Sequence, residues 1–240
     1  MNTRETQELV DRCNKCGLCI PSCPVYQQLL TEAASPRGRV QLVKNYLEGN
    51  LPLSKRAKEI ILTCLLCESC VVNCPSGVRQ DELFTDFREE LVREYGLDWK
   101  KKLIYSLLTN DRMLRSSMVF ARLGRNWLLE TLAKGMRIGN IPAGKLPRVN
   151  SKPFRDQFEG RILPEGKPEG RVFYFTGCFT NYFAEDVGRA VINILKKLRL
   201  EVEIPEGQDC CGIAPILSGE GDLPLKNVEK NVARLGRAEV

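Results

Sequence analysis

The sequence predicts a mainly α chain, in which a helical, cysteine-rich N-terminal domain precedes a smaller α/β unit of β–α–β order. Three observations carry this. Between residues 1 and 97 apolar residues recur at helical intervals, with almost no strand alternation. Further on, Arg171–Thr176 and Glu201–Ile204 read as short strands on either side of a helical stretch, roughly 184–198, which implies a parallel pair with a right-handed crossover. The run 141–170 contains Pro142, Pro147, Pro153, Pro164 and Pro168 and reads as a linker before that unit. The expected organisation is therefore a helical domain at 1–97, a basic helical segment and linker at 98–150, and an α/β domain at 171–240.

Within the first block, Thr3–Arg12 is a short helix leading into the first cysteines. Ser35-Pro36-Arg37-Gly38 reads as a stop and restart before a helix over Arg39–Leu47, whose Val40, Val43 and Leu47 share one face. Ser54 caps a helix ending near Leu62. Asp81–Tyr95 follows, with Leu83, Phe84, Phe87 and Leu91 on one side and Gly96 at its end.

Composition narrows the chemistry. The chain has 11 cysteines and no histidine. The missing imidazole removes His-ligated zinc, Rieske centres, c-type haem attachment and histidine acid–base catalysis. An odd number of cysteines argues against a disulfide framework. The N-terminus is polar with no apolar segment behind it, and the longest nearly apolar run is Ile60–Cys67. Neither a secretory signal nor a membrane span is expected, which leaves a cytoplasmic protein as the default.

The strongest signal is a repeat. Cys13-x-x-Cys16-x-x-Cys19-x-x-x-Cys23-Pro24 recurs as Cys64-x-x-Cys67-x-x-Cys70-x-x-x-Cys74-Pro75. Three cysteines at three-residue intervals wrap three corners of a four-iron cubane, and in two-cluster ferredoxins the fourth cysteine, before proline, crosses to the other cluster. Two [4Fe–4S] clusters follow: cluster A on Cys13, Cys16, Cys19 and Cys74, and cluster B on Cys64, Cys67, Cys70 and Cys23. Gly17 permits close backbone approach in the first motif, whereas Glu68 stands at the matching place in the second, so the clusters are expected to differ in potential. The competing readings are a zinc-stabilised interaction module and a disulfide set. Zinc usually takes two separated cysteine pairs, which this spacing does not provide. The long interval between Cys23 and Cys64, filled by helices, favours a helical ferredoxin type over strand hairpins.

These residues carry a resemblance. The first motif, then Ser35-Pro36-Arg37-Gly38-Arg39-Val40, Leu47-Glu48-Gly49 and Cys74-Pro75-Ser76-Gly77-Val78, resemble the iron–sulfur subunits of bacterial glycolate oxidase. Related subunits serve anaerobic glycerol-3-phosphate dehydrogenase, lactate oxidation and heterodisulfide reductase. The resemblance implies an electron-transfer subunit that takes electrons from a flavoprotein dehydrogenase, with FAD on that partner, and passes them to an acceptor such as the quinone pool. The absence of Gly-x-Gly-x-x-Gly from the chain agrees with flavin lying on another polypeptide. No general base, nucleophile or substrate pocket is legible, so this chain is not expected to catalyse the substrate step alone.

Gly177-Cys178 and Cys210-Cys211-Gly212 are similar to the first part of the cysteine-rich "CCG" domain of these proteins. The family adds a Cys-x-x-Cys about thirty residues later and usually a second such domain, and this sequence ends at Val240 before either. The resemblance thus implies a truncated subunit with an incomplete site at Cys178, Cys210 and Cys211. A heterodisulfide-reductase-like subunit with thiol–disulfide chemistry is the alternative, and it needs the missing pair.

Residues 99–150 hold 11 Lys/Arg against 2 Asp/Glu, while the rest of the chain holds 25 against 28. Lys100, Lys101, Lys102, Arg112, Arg115, Arg122, Arg125, Lys134 and Arg137 alternate with Trp99, Leu103, Ile104, Phe120, Trp127 and Leu132. Such helices either lie in an anionic headgroup layer, placing 99–137 on the inner face of a membrane near quinone, or pack within a complex. No nucleic-acid recognition module accompanies the charge, and nucleic acid is not expected as a partner.

Overall fold

The computed structural model describes residues 3–124, 137–138, 141–142, 149–158 and 160–236. Arg125, Trp127, Leu132 and Lys134 of the basic segment lie outside the described residues. The chain divides into two compact units, Met1–Lys102 with Ile213–Leu223, and Leu103–Gly212 with Pro224–Val240.

Regular structure described in the first unit is helical. It comprises α1 (Thr3–Asp11), α2 (Pro24–Leu29), α3 (Pro36–Leu47), α4 (Lys55–Leu62), α5 (Ser69–Val72) and α6 (Gln80–Tyr95). Capping decides several starts. Ser35 Oγ accepts from Gly38 N at 2.8 Å, and Pro36 occupies the first helical position, where its missing N–H costs nothing. The stop-and-restart read from Ser35–Gly38 is therefore the first turn of α3 itself. Ser54 Oγ likewise accepts from Ala57 N at 3.0 Å and opens α4. Replacing Ser54 by Ala is expected to lower stability by about 1 kcal/mol, measurable as a fall in thermal midpoint.

One apolar cluster joins these helices. Val10 of α1, Val40 and Val43 of α3, Ala57 and Ile61 of α4, and Leu83, Phe84, Phe87 and Leu91 of α6 are buried together. Tyr46 leans on Phe87 with ring centroids 5.2 Å apart. The first cysteine motif occupies the loop between α1 and α2, and the second runs from the end of α4 to the start of α6 with Cys70 in the single turn of α5. A packed helical frame thus holds chain segments that have little regular structure of their own.

In the described basic segment, α7 (Trp99–Thr109) and α8 (Asp111–Gly124) form as expected. The second unit also contains two short antiparallel strands, β1 (Arg137–Ile138) and β2 (Ile141–Pro142). Its main sheet consists of β3 (Arg161–Ile162), β4 (Gly170–Phe173) and β5 (Leu200–Glu203), in the order β3-β5-β4. β4 and β5 are parallel, with Val172 opposite Val202, and the crossover passes through α9 (Gly177–Tyr182) and α10 (Glu185–Lys197). The predicted β–α–β order is present. The antiparallel edge strand β3 was not legible, because it lies in the proline-rich stretch read as linker. That stretch is also anchored: Phe154 is fully buried against Ile192 and Ile204, and Asn150 donates to the Thr180 and Asn181 carbonyls. Beyond β5 come α11 (Ile213–Ile216), which belongs to the first unit, and α12 (Leu225–Leu235).

Candidate metal centres

The first cysteine motif follows α1 as a series of tight turns. Cys13 N donates to Val10 O at 3.2 Å, Ile20 N to Gly17 O at 2.9 Å, and Cys23 N to Ile20 O at 3.1 Å. Its repeat in sequence is also a repeat in backbone. Lys15 and Leu66, each two residues after the first cysteine of its motif, have φ of 57° and 50°. Gly17 and Glu68, each four residues after it, have φ of 84° and 61°. Glycine adopts that left-handed conformation without penalty, and Glu68 pays about 1 kcal/mol for it. The second loop therefore copies the curl of the first.

The loops form two cavities, and the fourth cysteines are exchanged between them. One cavity, of about 340 Å³, is lined by Cys13, Cys16, Cys19 and Cys74. The other, of about 400 Å³, is lined by Cys64, Cys67, Cys70 and Cys23. These are the two sets expected from the spacing, and they are called cavities A and B below. Two hydrogen bonds tie the exchange in place. Asn14 Nδ2 donates to Ser76 Oγ at 3.1 Å beside cavity A, and Ser22 Oγ donates to Ser69 O at 3.4 Å beside cavity B. Backbone donors already address several sulfurs: Tyr26 N to Cys23 Sγ, Leu66 N to Cys64 Sγ and Val78 N to Cys74 Sγ, each at 3.4 Å.

Electrostatics groups the thiols in the same way. Burial raises the Cys19 thiol, backbone N–H groups of Cys19 and Arg37 oppose this, and the charges of Cys13 and Cys74 raise it further. Cys70 is pushed up to about 12, first by burial and then by Cys64, Cys19 and Cys23. The appearance of Cys19 there shows that the two sets feel one another. Hydrogen bonding with the Ser69 hydroxyl, 3.5 Å from Cys67 Sγ, draws the Cys67 thiol below its ordinary range. Half-buried sulfurs crowded in this way cannot all ionise unaided, and a bound metal group supplies the positive charge that lets them do so. Among the described residues no three Cys, Asp or Glu side chains close on a point as a single ion would require. The four thiols of each cavity instead line its walls. A donor set of four cysteines lining one cavity fits a four-iron cluster.

Four neighbouring side chains were not identified from sequence. Arg39 is fully buried, lines cavity B, and donates from Nε to Ile60 O at 3.1 Å and from Nη2 to Thr63 Oγ1 at 3.0 Å. Gln80 is buried and lines cavity A, as does the Arg37 guanidinium. Arg88 of α6, also buried, donates to the carbonyls of Ile61, Cys64 and Leu217, holding the end of α4 and the start of the second motif to α6. Only the Ser-Pro-Arg-Gly-Arg run hinted at any of them, and nothing in it says which arginine is buried.

In the second unit the structure brings together two of the remaining cysteines. Gln208 staples the loops after β4 and β5: its Oε1 accepts from Thr176 N at 2.9 Å, and its Nε2 donates to Tyr174 O at 3.1 Å. Asp209 N donates to Asn231 Oδ1 of α12 at 2.9 Å. Cys178 in α9 thereby reaches Cys210. Hydrogen bonding from Cys178, with further donors from Gly212 N and Cys211, pulls Cys210 down to about 6, while the same bond and burial push Cys178 up. Cys210 is buried and Cys211 exposed.

Comparison with known proteins agrees with both halves. Residues 9–78 match the 4Fe-4S dicluster domain family, and residues 172–240 match the cysteine-rich domain family. Over 95% of its length the chain is 26% identical to a probable glycolate oxidase iron-sulfur subunit of Bacillus subtilis, covering 54% of that protein. It is 28% identical over 96% of its length to the glycolate oxidase iron-sulfur subunit of Escherichia coli, covering 51% of it. It is 26% identical over 91% of its length to a fumarate reductase (CoM/CoB) subunit of Methanothermobacter marburgensis, covering 38%. The chain thus spans about half the length of the two glycolate oxidase subunits. No solved structure matches it. The chain is an iron–sulfur protein in which a 4Fe–4S dicluster domain precedes a cysteine-rich domain.

Proposed function

We propose that this chain serves as the electron-transfer subunit of a flavin-dependent dehydrogenase complex acting on a 2-hydroxy acid, with two [4Fe–4S] clusters as its cofactors. Cys13, Cys16, Cys19 and Cys74 hold cluster A; Cys64, Cys67, Cys70 and Cys23 hold cluster B. The observation that carries this reading is the lining of two separate cavities by four cysteines each, with the fourth ligands exchanged. Similarity to glycolate oxidase iron-sulfur subunits supports the substrate class and the flavoprotein partner.

When bound, such clusters accept and release one electron at a time. The chain's own residues do the rest. The curled loops fix the two sites beside one another, the helical frame keeps that spacing constant, and backbone N–H groups at the cysteine sulfurs stabilise negative charge. FAD belongs to the partner, which delivers electrons singly from a two-electron oxidation. Trp99, Leu103 and Ile104 of α7 and Phe120 of α8 are exposed, as are Lys100, Lys101, Lys102 and Arg112, which supports each helix by itself as a docking element within the complex or on a membrane near quinone. Among the described residues no helix is long and apolar enough to cross a membrane.

Anaerobic purification tests the cofactor reading. The protein is expected to be brown, with about eight iron atoms per chain from two four-iron clusters. Colourless protein containing zinc would sink it. Co-purification with a flavoprotein that reduces these clusters on addition of glycolate or lactate tests the complex.

A further inference from the structure

Each cavity is lined by one buried side chain with an unpartnered polar atom, and the two differ in charge. At cavity A it is Gln80, whose Oε1 has no hydrogen-bond partner among the described residues. At cavity B it is Arg39, whose Nη1 has none among them. A buried polar atom left unpartnered is costly, and a guanidinium more so than an amide. We propose that Arg39 sets the order of the two redox potentials, making cluster B the electron acceptor of the pair. This rests on the cluster assignment above.

The other charges beside the cavities do not reverse that order. Arg37 lines cavity A, but its Nε and Nη2 are bonded to Glu32 at 2.8 and 3.1 Å, so the pair is close to neutral. Lys15 at cavity A and Glu68 at cavity B are exposed and screened by water and salt. Asp81 lines cavity B and is paired with Arg79, whose Nη2 lies 2.9 Å from it and 3.0 Å from Glu82, an ion-pair cluster half exposed to water and so screened. Arg39 forms no ion pair among the described residues, and its field reaches the cavity through protein rather than water. One-electron reduction adds a unit of negative charge to a thiolate-ligated cluster, so a fixed buried cation favours the reduced form at B. The step is a single electron transfer. With both clusters bound, cluster A would lose one electron and cluster B would gain it, with no bond formed or broken.

The test is an EPR-monitored redox titration of the anaerobically purified full chain, with Cys16→Ser and Cys67→Ser used to mark which signal belongs to A and which to B. In the unmodified protein the signal altered by Cys67→Ser should titrate at the higher potential. Arg39→Gln should lower that midpoint alone, cutting the reduced-to-oxidised ratio at the original midpoint at least tenfold, about 59 mV for one electron. Arg39→Lys should restore most of the shift, and Arg37→Gln should change cluster A far less. A lower potential for the Cys67-marked signal in the unmodified protein would overturn the proposal, as would equal or absent shifts in Arg39→Gln. Should Arg39→Gln fail to assemble its clusters, the order in the unmodified protein decides. Failure of the cluster assignment itself looks different: no pair of iron–sulfur signals would be seen.

Discussion

Cys23→Ser is expected to remove cluster B and leave cluster A, lowering iron from about eight to about four atoms per chain, one four-iron cluster. Cys23 lies in the first motif, only four residues from Cys19, yet it lines the cavity of Cys64, Cys67 and Cys70. The substitution isolates the ligand role. Cys23 is the N-cap of α2, its Sγ accepting from Tyr26 N, and serine is a strongly preferred residue at that position. The helix start is therefore kept while the soft thiolate is lost. EPR should show cluster A unchanged. Loss of cluster A with B intact would show that the fourth ligands are not exchanged.

Gly38→Ala should be the most damaging single-methyl change in the first unit. A Cβ at Gly38 would stand 2.0 Å from Glu32 O and 2.8 Å from Glu32 C, both backbone atoms that cannot step aside. It would also meet Ser35 Oγ, the cap of α3, at 3.1 Å. Relief requires moving either the turn at Glu32–Ala34 or the first turn of α3. The expected cost is about 3 kcal/mol, the upper part of the range for overpacking. For a chain of this size that corresponds to a fall of roughly 6–12 °C in thermal midpoint. Because the same turn carries Arg37 to cavity A and Arg39 to cavity B, both clusters should also become labile, read as faster loss of absorbance in air. A melting temperature within a degree of the original would refute the close approach.

The site and its surroundings were legible to different depths. Ligand identity was local: eight cysteines at a repeated spacing, each run ended by proline, specify which sulfurs a short loop can present. The expected exchange of Cys23 and Cys74 came from the pattern of two-cluster ferredoxins, and each of the two lines the cavity of the other motif. The helix start at Ser54 and the β–α–β order were legible for a similar reason, since capping and strand patterns act over a few residues, whereas the helix capped by Ser35 was read as starting only at Arg39.

What surrounds the sulfurs was decided by packing. Arg37 and Arg39 are two residues apart on one helix, which turns them about 200° from each other at 3.6 residues per turn. They face opposite ways because α3 begins at Pro36, ahead of the start at Arg39 read from the sequence. Only the seating of α3 among α1, α4 and α6 decided that Arg39 is the one shut away beside cavity B, while Arg37 stays at the surface with Glu32. Gln80, Gln208 and the return of Ile213–Leu223 to the first unit are of the same kind. Each depends on contacts between segments far apart in the chain, whose relative placement no local pattern encodes.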